Sequence, residues 1–173
     1  MIPLFVCHAN CSRSMIAAYL FRDIAGAPAL SAGMQAGQLP AERAVEMLAY
    51  WGIDASAHRP RQVDRAVCDQ AEAILVMAPP YLRRLLIEYG DDLAIKSHLF
   101  ADPFTWPVCF SHREYAVIDP TWDRRAASDL CAEHAWMRDR VAQINEALHG
   151  RGRPLVPAAS YLDLLAEVEP TDH

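Results

Sequence analysis

An apolar run, Ile2-Pro3-Leu4-Phe5-Val6, stops at Cys7, and Arg13 and Ser14 follow just before a helical pattern begins. This Cys-X5-Arg-Ser spacing at a strand-to-helix junction constrains the chain more than any other feature. The strand must turn into the helix through a short loop whose backbone N–H groups can converge near a helix N-terminus. Such a loop holds a tetrahedral oxyanion without a metal. The same field favours the anionic form of a cysteine at the base of the loop. Arg13 adds a planar fork that matches two oxygens of the anion. Nucleophile, cradle and clamp lie within one short stretch of chain.

The remaining pattern is an alternation. Strand-like runs stand at 2–6, 29–32 (ending at Gly33), 74–77 and 96–100. Between them, Ser14 opens a helix with Ile16, Ala17, Leu20, Phe21 and Ile24 on one face and Gly26 beyond its end. Pro40 opens a second helix, ended by Gly52, and Pro79-Pro80 opens a third. After a loop over 101–121 rich in proline and aromatic residues, a long helix is expected over 122–148. Strands alternating with helices imply an α/β three-layer sandwich: a central parallel four-stranded sheet, helices on both faces, and the phosphate-binding loop after strand 1. Ligands bind such sheets at the carboxyl ends of strands, where the Cys7 loop falls.

The expected organisation is one domain over 1–150 and a C-terminal extension over 151–173, packed on the same domain. The 173 residues suffice for a real core, with 53% hydrophobic and 22% charged residues. A net charge of -6 without a basic stripe argues against nucleic acid as a partner. No apolar run reaches bilayer length, and Leu4-Phe5-Val6 has no basic region before it, so neither a membrane span nor a signal peptide is expected. Five cysteines form no disulfide framework, which fits a cytoplasmic location. Cys7, His8, Cys11, Cys131 and His134 lack the spacing of a common zinc site, so no metal and no cofactor are expected.

At this point the sequence resembles the low-molecular-weight protein tyrosine phosphatases, up to about residue 148. Their Cys-X-Gly-Asn-X-Cys-Arg-Ser loop is similar to Cys7-His8-Ala9-Asn10-Cys11-Ser12-Arg13-Ser14. Ser31-Ala32-Gly33, Gly52-Ile53-Asp54 with His58-Arg59-Pro60-Arg61-Gln62, and Met77 through Leu85 resemble further family blocks in the same order. Asp119-Pro120 stands where the family carries Asp-Pro-Tyr-Tyr.

The resemblance implies that Cys7 attacks phosphorus to form a phosphocysteine, while Arg13 and the amides of His8, Ala9, Asn10, Cys11, Ser12, Arg13 and Ser14 hold the oxygens. Asp119 would protonate the leaving group and then activate water. Ser14 would donate to the Cys7 sulfur, Asn10 would hold the loop with His58 in support, and Trp122 would wall the phenol ring. A second Asp-Pro pair, Asp102-Pro103, competes for the acid's role. Asp119 is preferred because the final helix starts immediately after it. The implied partner is a phosphotyrosine-containing protein or small phosphate ester, with phosphate or a similar oxyanion in the loop.

The chain also departs from the pattern. Ala9 replaces a glycine, Ser12 replaces the second loop cysteine while Cys11 brings one a position earlier, and Thr121 replaces an aromatic. Two other functions stay open. A thiol-dependent arsenate reductase shares the loop but needs a cysteine pair after the third strand, where Val76-Met77-Ala78-Pro79-Pro80-Tyr81-Leu82 has none. A weakly active phospho-ligand-binding module would fit Ala9, Ser12 and Thr121. Whether Cys7 and Cys11 can join in a disulfide is open, as is oligomeric state.

Overall fold

The computed structural model describes residues 1–101 and 127–167. Strand β1 (Pro3–Cys7) is buried along its whole length, as an apolar run flanked by turn signals requires. Helix α1 (Arg13–Ala25) follows and ends at Gly26, whose φ of 61° supplies the left-handed cap that side chains resist. Then come β2 (Leu30–Gly33), α2 (Glu42–Tyr50), α3 (Arg65–Gln70), β3 (Ala73–Val76), α4 (Pro79–Tyr89) and β4 (Ser97–Leu99). Beyond them lie α5 (Ala127–Glu133), α6 (Ala135–Leu148) and α7 (Leu162–Ala166).

The four strands form one parallel sheet in the order β2-β1-β3-β4. The chain therefore leaves β1 to one side for β2 and returns to the other side for β3. That reversal opens a crevice at the carboxyl end of β1, beside Cys7.

Alternation along β1 sends its side chains to opposite faces. Phe5 and Cys7 join a core with Met15, Ile16, Leu20, Phe21, Leu48, Leu130, Val141 and Ile144, drawn from α1, α2, α5 and α6. Leu4 and Val6 join the other core with Val67, Leu82, Leu85, Tyr161 and Leu165, drawn from α3, α4 and the C-terminal segment. Phe5 packs against Phe21 and Phe100 with ring centroids 6.1 Å apart in each pair. Both faces of the sheet are thus covered by helices, as the strand–helix alternation implies.

Two elements differ from the sequence expectation. Helix α3 was not expected, although Asp64 carries its signal: its carboxylate accepts from Val67 N at 2.7 Å and caps the first turn. The expected helix over 122–148 is two helices where it is described, interrupted at His134. The Leu130 carbonyl accepts both the backbone N–H of His134 (2.9 Å) and its ring Nδ1–H (2.8 Å). Met137 N then reaches back only three residues, to His134 O. The side chain shares a ladder acceptor with its own backbone N–H at the point where the regular turn gives way.

The C-terminal segment lies against β4 and α4. His98 Nδ1–H donates to Val156 O at 2.9 Å, and Ala158, Tyr161 and Leu165 are buried. Leu165→Ala is expected to cost about 2–5 kcal/mol in urea unfolding followed by circular dichroism. A cost near zero would mean that this segment is not part of the core.

Candidate active site

The site grows out of the end of β1. Cys7 is 2% exposed, with its Sγ 3.0 Å from Ser14 Oγ and 3.3 Å from the backbone N–H of Asn10, which donates to it. Seven residues of loop and helix start have curled round so that the strand's last side chain faces the helix's first turn.

Asn10 makes that curl possible. It is the only described non-glycine residue with positive φ, 56°, a conformation asparagine tolerates better than most side chains. Its Oδ1 accepts from Arg61 N at 2.9 Å, and its Nδ2 donates to Ser14 Oγ at 3.0 Å. Its carbonyl accepts from His58 Nε2 at 2.9 Å, so that ring nitrogen carries the hydrogen. Ala9, where the resembling family has glycine, has no positive φ and carries none of that strain.

The loop's carbonyls all have donors outside it. Those of Cys7, His8, Ala9 and Cys11 accept from the N–H groups of Met34, Gln35, Gly37 and Ala41, at 2.8–3.0 Å. Asn10 O takes His58, and Ser12 O takes Ile16 N of α1. In a trans peptide the N–H points opposite the carbonyl. With the carbonyls of Cys7, His8, Ala9 and Cys11 turned toward the 34–41 strap, the amides of His8, Ala9, Asn10 and Ser12 turn the other way, and the N–H of Asn10 shows the direction by meeting Cys7 Sγ. Helix α1 begins here with no side-chain cap and no acidic residue in its first turn. Its N-terminal dipole end and its orphan N–H groups remain suited to an anion.

The strap needs Gly33. A Cβ there would sit 2.6–2.7 Å from backbone atoms of His8, Ala9 and Asn10. Gly33 N also donates to Arg61 O, and Val63 N to Gly33 O, which ties the 58–63 segment to the end of β2.

His58 is 8% exposed and packs edge-on against Tyr19 at 5.9 Å. Burial, with the positive Arg22 and Arg59 nearby, holds its pKa below the ordinary 6.5, although the bond to Asn10 O pulls the other way. Its neutral ring therefore serves as a structural donor.

Of the residues singled out in the sequence, Cys7, His8, Ala9, Asn10, Cys11, Ser12, Arg13 and Ser14 form this one loop and helix start. Asp119, its rival Asp102, and Trp122 lie outside the described residues. No group of three metal-ligating side chains occurs among the described residues. Tyr81 escaped the sequence reading. It stands in the first turn of α4, with its ring 5.9 Å from that of His8 and 5.7 Å from Arg13 Cζ. The signal was positional: α4 follows β3, the strand beside β1.

The family model for the low molecular weight phosphotyrosine protein phosphatases matches residues 3–120. The chain belongs to this family. A probable low molecular weight protein-tyrosine-phosphatase, EpsP, of Ralstonia nicotianae is 42% identical over 77 residues, which are 43% of this chain and 53% of that protein. The chain thus spans about half the length of this curated relative. Among solved structures, a mutant of YwlE from Bacillus subtilis superposes with a TM-score of 0.70 at 22% identity, covering 86% of this chain and 99% of that one. The tyrosine phosphatase Wzb from Escherichia coli K30, in complex with sulphate, gives 0.67 at 21% identity, covering 85% and 97%. These two establish the shared fold.

Two outcomes check the site's construction. Gly33→Ala should destabilise the protein by about 1–3 kcal/mol or more, because backbone must shift to admit the methyl group, as read by thermal or urea unfolding. His58 has a folded pKa below its unfolded value, so the unfolded state takes up the proton first. Its contribution is fully present above the unfolded pKa and is lost as pH falls from there through the folded value. His58→Gln, which keeps a donor for Asn10 O, should flatten the decline in unfolding free energy between about pH 7 and 5. An unchanged slope would count against a neutral, buried His58.

Proposed function

We propose that this chain is a cysteine-dependent phosphatase that hydrolyses phosphotyrosine-type monoesters through a phosphocysteine intermediate. The observation that carries the reading is the placement of Cys7 Sγ at the focus of the loop, with the Asn10 N–H and Ser14 Oγ both upon it. Family membership and the name of the Ralstonia relative point the same way.

Ser14 explains how the sulfur is made ready. Its single O–H proton has two acceptors, Ala32 O at 3.3 Å and Cys7 Sγ at 3.0 Å, while its oxygen accepts from Asn10 Nδ2. With Cys7 as a thiol, S–H donates to Ser14 Oγ and the hydroxyl points to Ala32 O. When the thiolate forms, the hydroxyl turns to the sulfur. The charge is met by a donor already within reach.

The thiolate attacks phosphorus in line with the ester oxygen. Arg13 and the amides of residues 8–14 hold the three equatorial oxygens, and the N-terminus of α1 adds its partial positive charge. Asp119 gives its proton to the departing oxygen, then takes one from the water that cleaves the phosphocysteine. Trp122 walls the aromatic leaving group. In this scheme no metal or other cofactor takes part, and the substrate is a phosphotyrosine-containing protein or small phosphate ester in the cytoplasm. The 151–173 segment serves the same domain as structural support.

The arsenate-reductase reading requires further reactive thiols. Burial pushes Cys68 and Cys131 up to about 11, which leaves them protonated and slow as relay partners.

Hydrolysis of para-nitrophenyl phosphate and of a phosphotyrosine peptide, across pH 4 to 8 with chelator present, tests the proposal. Cys7→Ser should fall to background. Asp119→Ala should lose about 10²–10⁴-fold on the peptide, with its poorer leaving group, and Asp102→Ala far less. Full activity in Cys7→Ser, or a larger loss in Asp102→Ala than in Asp119→Ala, would respectively sink the mechanism or reassign its acid.

A further inference from the structure

We infer that Tyr81 is a positioning residue for Arg13, acting through its aromatic face. The inference rests on the reading of the Cys7 loop as an oxyanion site. Arg13 Cζ lies 5.7 Å from the Tyr81 ring centroid, within the range where a guanidinium is drawn to the negative face of an aromatic ring. The same ring stands 5.9 Å from that of His8, tilted by 34°. One side chain from α4 therefore meets both the first residue of the loop and its last, from a helix that the loop does not touch in sequence.

Tyr81 is itself held hard. It is 7% exposed, in the first turn of a helix opened by two prolines and anchored by the buried Leu82 and Leu85. Proline fixes φ near its helical value, which sets the backbone of the turn that carries Tyr81.

The chemistry explains why an aromatic ring suits this place. A guanidinium that clamps phosphoryl oxygens must present its N–H fork to them. A carboxylate brace would occupy those donors and offset the positive charge. A π face attracts the cation without accepting its N–H bonds in the plane of the fork. Tyr81 can thus restrict the wandering of Arg13 without itself accepting from the fork. Because oxygen charge and geometry change toward the transition state, tighter positioning should act more on kcat than on KM.

The test compares the wild type with Tyr81→Phe, Tyr81→Leu, Arg13→Met and the double variant Tyr81→Leu/Arg13→Met. Vanadate binding is measured by calorimetry and metal-free phosphotyrosine-peptide hydrolysis by steady-state kinetics. Tyr81→Phe should stay near wild type. Tyr81→Leu should weaken vanadate binding and lower kcat by about ten-fold, with a smaller change in KM. In the Arg13→Met background, which has no cation at this position, the Leu substitution should add little. Equal affinity in Tyr81→Leu and wild type, equal damage from Phe and Leu, or a full ten-fold further loss on Arg13→Met would each overturn the inference. Should Tyr81→Leu not fold, phenylalanines of rising ring fluorination at position 81 keep the shape and weaken the π face. A graded loss of vanadate affinity supports the inference, and a flat series overturns it. A wild type that binds vanadate without turnover sinks the phosphatase reading alone, and the Tyr81→Leu binding ratio then decides the inference. A wild type that neither binds nor turns over overturns both.

Discussion

Asn10 is the residue on which the site depends. Its N–H, its carbonyl and both side-chain polar atoms are engaged, by Cys7, His58, Arg61 and Ser14, inside a residue with no solvent exposure. Few residues could take its place. The left-handed backbone excludes bulky and β-branched side chains, glycine would drop two hydrogen bonds, and aspartate would lose the donor to Ser14. Because the bonds run to β1, α1 and the 58–63 segment, one side chain ties together three parts of the chain that are distant in sequence. In such a buried network each member is costly to lose, since removal leaves partners without solvent to replace it.

The parallel sheet supplies the setting. β1 lies between β2 and β3, so the loop that leaves it is flanked on one side by the end of β2 and on the other by the start of α4. The first neighbour contributes Gly33 and the backbone donors of 34–41; the second contributes Tyr81. The loop's backbone strap and its aromatic neighbour thus come from the two sides of one topological reversal.

Much of this was legible in the residues. The apolar run of 2–6 marked a strand buried on both faces, and Gly26 and the Pro79-Pro80 pair marked helix ends through backbone conformations that few other residues favour. The Cys7–Ser14 stretch was readable because its chemistry is compact in sequence. Three things were not readable. The His134 interruption falls where one side chain joins its own backbone N–H on the Leu130 carbonyl, which the apolar periodicity of 127–148 does not register. Helix α3 has too few residues for a period to show, and only its cap at Asp64 betrays it. Tyr81 looked like one more apolar residue of α4, because its partners His8 and Arg13 are long-range neighbours that only the strand order brings close.

The packing of residues 156–165 against β4 and α4 has a bearing on how the molecule is made. One core closes on α1, α2, α5 and α6; the other is completed by Ala158, Tyr161 and Leu165, which are made well after the strands they cover. Until they emerge, the nascent chain displays an open apolar face of its sheet beside the short strand β4. Parallel pairing already imposes long loop closures, since Leu4 must await Ile74. Completion of the fold therefore waits for residues 158–165 to emerge, and a chain paused before residue 158 would be a natural client for a chaperone that shields exposed apolar surface.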